Sequence, residues 1–155
     1  MILAFKSADR TELCDHLALL ANAALSGSGL WADIEYFVPV PLHWAKRVLR
    51  GYNQSLLIAK KLEHPGARVC TDLVRIRYTK EQPSLTPAGR KANVAGAFAV
   101  RKGHKFSGKR ICLVDDIKTT GATLNECART LKQAGAERVY ALVLAVAGQD
   151  VSKAV

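Results

Sequence analysis

The chain has 155 residues, 49% hydrophobic and 23% charged, which fits one globular domain and excludes a disordered polymer. No apolar run approaches the ~18 residues of a membrane span. The start, MILAFKSADRTEL, lacks the apolar stretch and cleavage site of a signal peptide, so a cytoplasmic location is expected.

Helical and strand patterns alternate along the chain. Residues 9–25 place Leu13, Leu17, Leu20 and Ala24 on one face of an amphipathic helix, with Asp9 as N-cap and Gly27 and Gly29 beyond the last turn. Residues 34–38 read as a short strand ended by Pro39 and Pro41. After a basic turn over 46–51, Asn53 opens a helix to about Leu62, stopped by Pro65 and Gly66. Residues 68–76 are β-rich. Residues 77–96 hold few core-formers and predict a long, flexible polar loop. Residues 97–100 and 111–114 are strands, 122–134 a helix ended by Gly135, and 139–146 a last buried strand. This order predicts an α/β fold: a parallel sheet flanked by helices, with ligands bound beyond the C-terminal strand ends.

The charge is uneven. Lys and Arg number 23 against 13 Asp and Glu, a net charge of +10. Residues 38–114 hold 16 Lys/Arg but only Glu63, Asp72 and Glu81 as acids, a surplus of 13. That surplus suggests an anionic ligand, either a polyphosphate or a nucleic acid, or else a solvated basic face. The four cysteines form no C-x-x-C pair, so neither a zinc site nor a redox dithiol is supported. Cys112 and Cys127 read as buried, inert thiols.

The chemistry concentrates at Val114-Asp115-Asp116-Ile117-Lys118-Thr119-Thr120-Gly121-Ala122-Thr123, between a buried strand and a helix. Thr119, Thr120, Gly121, Ala122 and Thr123 supply successive N–H groups and hydroxyls at a helix N-terminus, an arrangement that binds a phosphate monoester. Gly121 lets the backbone approach an oxygen closely. Carboxylates repel phosphate but accept hydrogen bonds from vicinal hydroxyls. A ribose 5-phosphate satisfies both ends. A plain strand-to-helix turn, with Thr as cap and the Asp pair in solvent, is the bland alternative.

VDDIKTTGAT resembles the phosphoribosyl-pyrophosphate (PRPP) signature of type I phosphoribosyltransferases. Val38-Pro39-Val40-Pro41-Leu42-His43 and Arg50-Gly51-Tyr52-Asn53-Gln54 are similar to the ComF (competence protein F) branch. So are Gln82-Pro83-Ser84-Leu85, then Arg90, Asn93, Gly96-Ala97-Phe98, and Leu3-Ala4-Phe5-Lys6 near the start. Many ComF-type proteins begin with a four-cysteine zinc finger; this chain resembles the phosphoribosyltransferase portion alone.

The resemblance implies a single type I phosphoribosyltransferase-like domain over 1–155. A small hood would come from 1–30 and the C-terminal end, and a flexible lid from 77–96. Asp115 and Asp116 inherit the catalytic and ribose-binding role. Thr119, Thr120, Gly121, Ala122 and Thr123 inherit the 5′-phosphate. Lys118 stands in a commonly apolar slot and is expected to point to water. Pro41, Leu42, His43, Lys46, Arg47 and Arg50 fall where pyrophosphate is held. Lys80, Gln82, Arg90 and Lys91 fall on the lid. Asn53 is expected to cap the next helix. Mg²⁺ is implied with PRPP, held mainly by pyrophosphate and ribose oxygens and water rather than by a protein cage.

Two functions compete: transfer of phosphoribose from PRPP to an acceptor the sequence does not name, or a non-catalytic PRPP/nucleotide and single-stranded-DNA module working with competence-machinery proteins in DNA uptake. Exposed aromatics for stacking bases are few: Tyr52, Tyr78 and Trp44. No membrane partner is expected.

Overall fold

The structure, a computed structural model, describes residues 13–42, 51–79, 86–118 and 120–146. In chain order the elements are α1 (Leu13–Ser26), a 3₁₀ turn (Trp31–Asp33), β1 (Tyr36–Pro39), α2 (Gln54–Lys60), β2 (Arg68–Val69), β3 (Leu73–Arg75), α3 (Pro87–Val94), β4 (Phe98–Val100), β5 (Arg110–Lys118), α4 (Ala122–Gln133) and β6 (Arg138–Val146). Four strands make a parallel sheet in the order β2-β1-β5-β6. β3 and β4 form a separate antiparallel pair.

The apolar run at the start of β5 feeds both faces of the sheet because strand side chains alternate. Ile111 and Leu113 pack with Leu124, Cys127 and Leu131 of α4. Cys112 and Val114 pack with Leu17, Ala21 and Leu25 of α1 and Ile58 and Ala59 of α2. Both faces are covered, as a parallel sheet requires.

Several expected elements shift. The buried face of α1 is Leu17, Ala18, Ala21 and Leu25, whereas Leu19 and Leu20 are 68% and 59% exposed. Ala24, expected on the core face, is also exposed. A helix rich in both Leu and Ala offers more than one apolar stripe, and the fit against Ile58, Ala59 and Leu142 selects the one with small residues. Asp9 lies outside the described residues. The strand expected at 34–38 runs from Tyr36 to Pro39. The β-rich stretch 68–76 is two strands in two sheets. Cys70 N–H donates to Phe37 O at 2.9 Å and ends the parallel pairing; Asp72 O then accepts from Arg101 N–H at 2.8 Å and starts the hairpin.

Within 77–96 the chain forms α3. Thr86 caps it, its hydroxyl accepting from Gly89 N–H at 3.2 Å, with Pro87 in the first turn. Thr followed by Pro is a helix-start signal, and Val94 supplies the buried anchor. β5 also runs past its apolar run to Lys118, because β6 pairs alongside it as far as Val146.

Part of the basic surplus belongs to the fold. At the N-terminal edge of the sheet, Lys109 Nζ meets Glu35 Oε1 at 2.8 Å, and Arg110 N–H donates to Glu35 Oε2 at 3.0 Å. Lys109 and Arg110 hold the Glu35 carboxyl below the usual range. Arg77 donates to the carbonyls of Asn93 and Ala95 at 3.0 and 2.6 Å, closing the end of α3.

His64 anchors the turn that feeds β2. Its Nδ1 accepts from the N–H groups of Gly66 and Ala67 at 3.0 and 2.7 Å. Its Nε2 lies 2.7 Å from Trp31 O, so the neutral tautomer with hydrogen on Nε2 satisfies all three partners. Its ring packs against Trp31 and Phe37. His64→Ala is expected to cost about 2 kcal/mol and to lower Tm by roughly 5 °C in a thermal melt.

Candidate functional site

At the C-terminal end of the sheet, β5 carries Asp115 and Asp116 still within the strand; Asp115 lies across from Val143 of β6. Asp115 Oδ1 accepts from Ser55 Oγ at 3.1 Å and from Asp116 N–H at 3.0 Å. Asp116 Oδ1 accepts from Ile117 N–H at 2.8 Å. Burial and then the adjacent Asp116 charge push the Asp115 carboxyl up to about 7, against the opposing pull of the Ser55 hydrogen bond. When ionised, such a pair accepts hydrogen bonds from neighbouring hydroxyl or N–H donors, each of which eases its mutual repulsion.

The turn after β5 is short. Gly121 has φ +75° and is the N-cap of α4, with no side-chain capping bond. Its left-handed backbone requires glycine: a Cβ there would be strained and would sit 3.1 Å from Lys118 Cε. Lys118 is exposed, but its side chain lies along this turn rather than simply out in water. Thr120 is exposed and its hydroxyl accepts weakly from Ala122 N–H at 3.4 Å. Ala122 and Thr123 are half-buried in the first turn of α4. Thr119 lies outside the described residues.

A cavity of about 270 Å³ borders this turn, lined by Thr120, Ala122 and Asn125 on one side and Lys91 and Val94 of α3 on the other. Lys91 is thus brought beside the β5–α4 turn. Arg90 is half-buried on the same helix. The α3 end is tied to α4 by Glu126, whose carboxylate accepts from Gly96 N–H at 2.7 Å and pairs with Arg129. Lys80 and Gln82 lie outside the described residues.

Beyond β1, Pro41 and Leu42 line a second cavity of about 260 Å³ with Asn53, Leu56, Arg75 and Arg101. His43, Lys46, Arg47 and Arg50 lie outside the described residues. Asn53 caps α2 as expected: its Oδ1 accepts from Ser55 N–H at 3.1 Å. Its Nδ2 donates to Val40 O at 3.1 Å. Sequence reasoning passed over Ser55, Arg75 and Arg101. Ser55 stands two residues after a recognised cap, but only the fold brings it to a carboxylate sixty positions away. Arg75 is held by Thr79 and lies over the Phe98 ring at 5.3 Å.

Cys112 and Cys127 are buried. Burial pushes the Cys112 thiol up to about 12 and raises Cys127 as well. Among the described residues no group of three His, Cys, Asp or Glu side chains gathers as a metal site. Among them, too, no helix is long and apolar enough to cross a membrane.

A parallel sheet with a carboxylate pair at the end of one strand and a glycine-led helix start just beyond it is the architecture of a type I phosphoribosyltransferase. Residues 55–154 match the phosphoribosyl transferase domain, and the chain belongs to that family, in its ComF branch. It is 36% identical over 115 residues to competence protein F of Haemophilus influenzae, covering 72% of this chain and 50% of that protein. To competence protein ComFC of Bacillus subtilis it is 32% identical over 98 residues, 63% of this chain and 38% of that one. To the DNA utilization protein YhgH of Salmonella typhi it is 36% identical over 104 residues, 66% of this chain and 45% of that one. The chain spans about half the length of these relatives, or less. Its fold is similar to the glutamine PRPP amidotransferase of B. subtilis solved with ADP and GMP, with TM-score 0.60 and 20% identity over 92% of this chain and 30% of that one.

Proposed function

We propose that the chain binds Mg–PRPP at the end of β5 and transfers its phosphoribosyl group to an acceptor nitrogen. Asp115 and Asp116 take the ribose hydroxyls. Thr119 to Thr123 take the 5′-phosphate, through fixed N–H donors and the positive end of α4. The loop through Pro41, Leu42, His43, Lys46, Arg47 and Arg50 takes the pyrophosphate, whose charge grows as the C1′–O bond breaks. The acceptor's lone pair forms the new C1′–N bond, its proton is lost, and pyrophosphate leaves. Mg²⁺, bound with the polyphosphate, would offset part of its charge. Lys80, Gln82, Arg90 and Lys91 on the 77–96 segment shield the reacting carbon from water. The 1–30 segment and the C-terminal end are the candidates for the acceptor hood, although α1 itself is taken up in covering one face of the sheet.

The observation that carries this reading is the juxtaposition of the Asp115–Asp116 pair with the glycine-led start of α4, in a chain of this family. The test is a screen of bases and amines for PRPP-dependent pyrophosphate release. Release with one acceptor class is expected; no PRPP binding at saturation would overturn the reading.

The names of the relatives, competence and DNA utilization proteins, favour a second reading, a non-catalytic module that binds PRPP or a nucleotide and single-stranded DNA. Under it, retention on single-stranded DNA at about 50 mM salt falls steeply as salt rises, with no pyrophosphate release.

A further inference from the structure

We infer that Ser55 and Asn53 are positioning residues that aim the Asp115 carboxylate and tie it to the loop after β1. This inference rests on the ribose-phosphate reading of the site and adds to it a route between its two halves.

The path is continuous. Val40 N–H donates to Val114 O at 2.9 Å, locking the end of β1 against β5. Val40 O accepts from Asn53 Nδ2 at 3.1 Å, so the first residue after β1 is held by the cap of α2. Asn53 Oδ1 accepts from Ser55 N–H at 3.1 Å and sets the first turn of that helix. Ser55 Oγ then donates to Asp115 Oδ1 at 3.1 Å. Asp116 N–H goes to the same oxygen at 3.0 Å. Both donors use Oδ1, while the Asp116 carboxyl lies within hydrogen-bonding reach of the same side chain.

Ser55 is only 4% exposed. A buried hydroxyl is costly without a partner, and alanine would fill the same space without that cost. In the first turn of a helix, serine ordinarily turns back on its own backbone. Here it reaches another element, onto a carboxylate whose charge it stabilises. The groups facing Asp115 are Asp116 on its own strand, the Cys127 thiol from α4 and Ser55 from α2, while β6 sets Val143 across from it. Ser55 is the donor among these side chains that favours the ionised form able to accept ribose hydroxyls.

The test is calorimetric titration of ribose 5-phosphate, and separately of Mg–pyrophosphate, into the whole chain between pH 5.5 and 8.5. Wild type is expected to bind ribose 5-phosphate more tightly as Asp115 ionises. Ser55→Ala is expected to weaken ribose 5-phosphate about tenfold at pH 7 and to move the midpoint of the pH profile up by about one unit. Its pyrophosphate affinity stays unchanged. Ser55→Thr, which keeps the hydroxyl, restores the wild-type midpoint. Asn53→Ser keeps the cap but removes the donor to Val40, and is expected to weaken ribose 5-phosphate a few-fold. It carries the test if Ser55→Ala fails to fold. An unchanged midpoint in folded Ser55→Ala, or equal loss of both ligands, overturns the positioning role. Absence of ribose 5-phosphate binding to wild type, by contrast, overturns the ribose reading itself, because no midpoint then exists to move.

Discussion

With Asp115 and Asp116 both replaced by Asn, Mg–PRPP is expected to lose all measurable stabilisation of the fold. In wild type, ligand at a hundred times its Kd adds about 2.7 kcal/mol, a Tm rise of roughly 5–10 °C for a chain of this length. Hydrogen bonds to charged groups contribute about 1.5–3 kcal/mol each. Losing two of them weakens binding by about two orders of magnitude or more, so the same ligand concentration no longer registers. The unliganded double variant is expected to be more stable than wild type at pH 8, since a crowded pair of like charges is gone. A lost ligand shift therefore cannot be confused with a damaged fold. Thermal melts with and without Mg–PRPP check both outcomes, and a shift retained at wild-type size would sink the assignment of these residues.

Stability should also fall as pH rises through neutrality, and Asp115 is the reason. Its folded carboxyl sits at about 7 against an ordinary 3.8. The folded state thus holds this proton more tightly than the unfolded chain does. The stability this contributes is full below about pH 4, is lost progressively as pH climbs, and is gone above about 7. Three units would correspond to about 4 kcal/mol. Asp115 is only partly shielded from solvent, so about 2 kcal/mol between pH 5 and 8 is the expected size. Glu35 and Glu126 act in the opposite sense, but only below their ordinary carboxylate value, outside this window. The measurement is therefore a comparison of wild type with Asp115→Asn. Urea unfolding across pH 5–8 should show the decline in wild type and a flatter profile in Asp115→Asn. Parallel profiles in the two proteins would rule out Asp115 as the source.

The same residues that carry these effects divide what the sequence reveals from what it does not. The strand at 111–114 and the helix after Gly121 are legible because a run of apolar residues and a glycine-led turn act locally. The cap at Asn53 is local too, a side chain bonding a backbone N–H two residues on. Asp115 and Asp116 stand out by type and spacing alone. The bland reading of that pair as solvent-facing turn residues gives way in the structure, where β6 holds the strand together past its apolar run and shields Asp115 within it.

The surplus of positive charge divides in the same manner. Composition determines its size and its sign, because those are sums over residues. It cannot say that Lys109 and Arg110 are taken by Glu35, that Arg77 closes α3, or that Arg75 and Arg101 line the cavity beside β1. Nor can it choose the buried stripe of α1 or bring Ser55 to Asp115. Local patterns specify elements because neighbours in sequence share one turn of helix or one strand. Partners sixty or seventy-five positions apart are decided only when the sheet assembles, since packing and burial set which of many compatible contacts form.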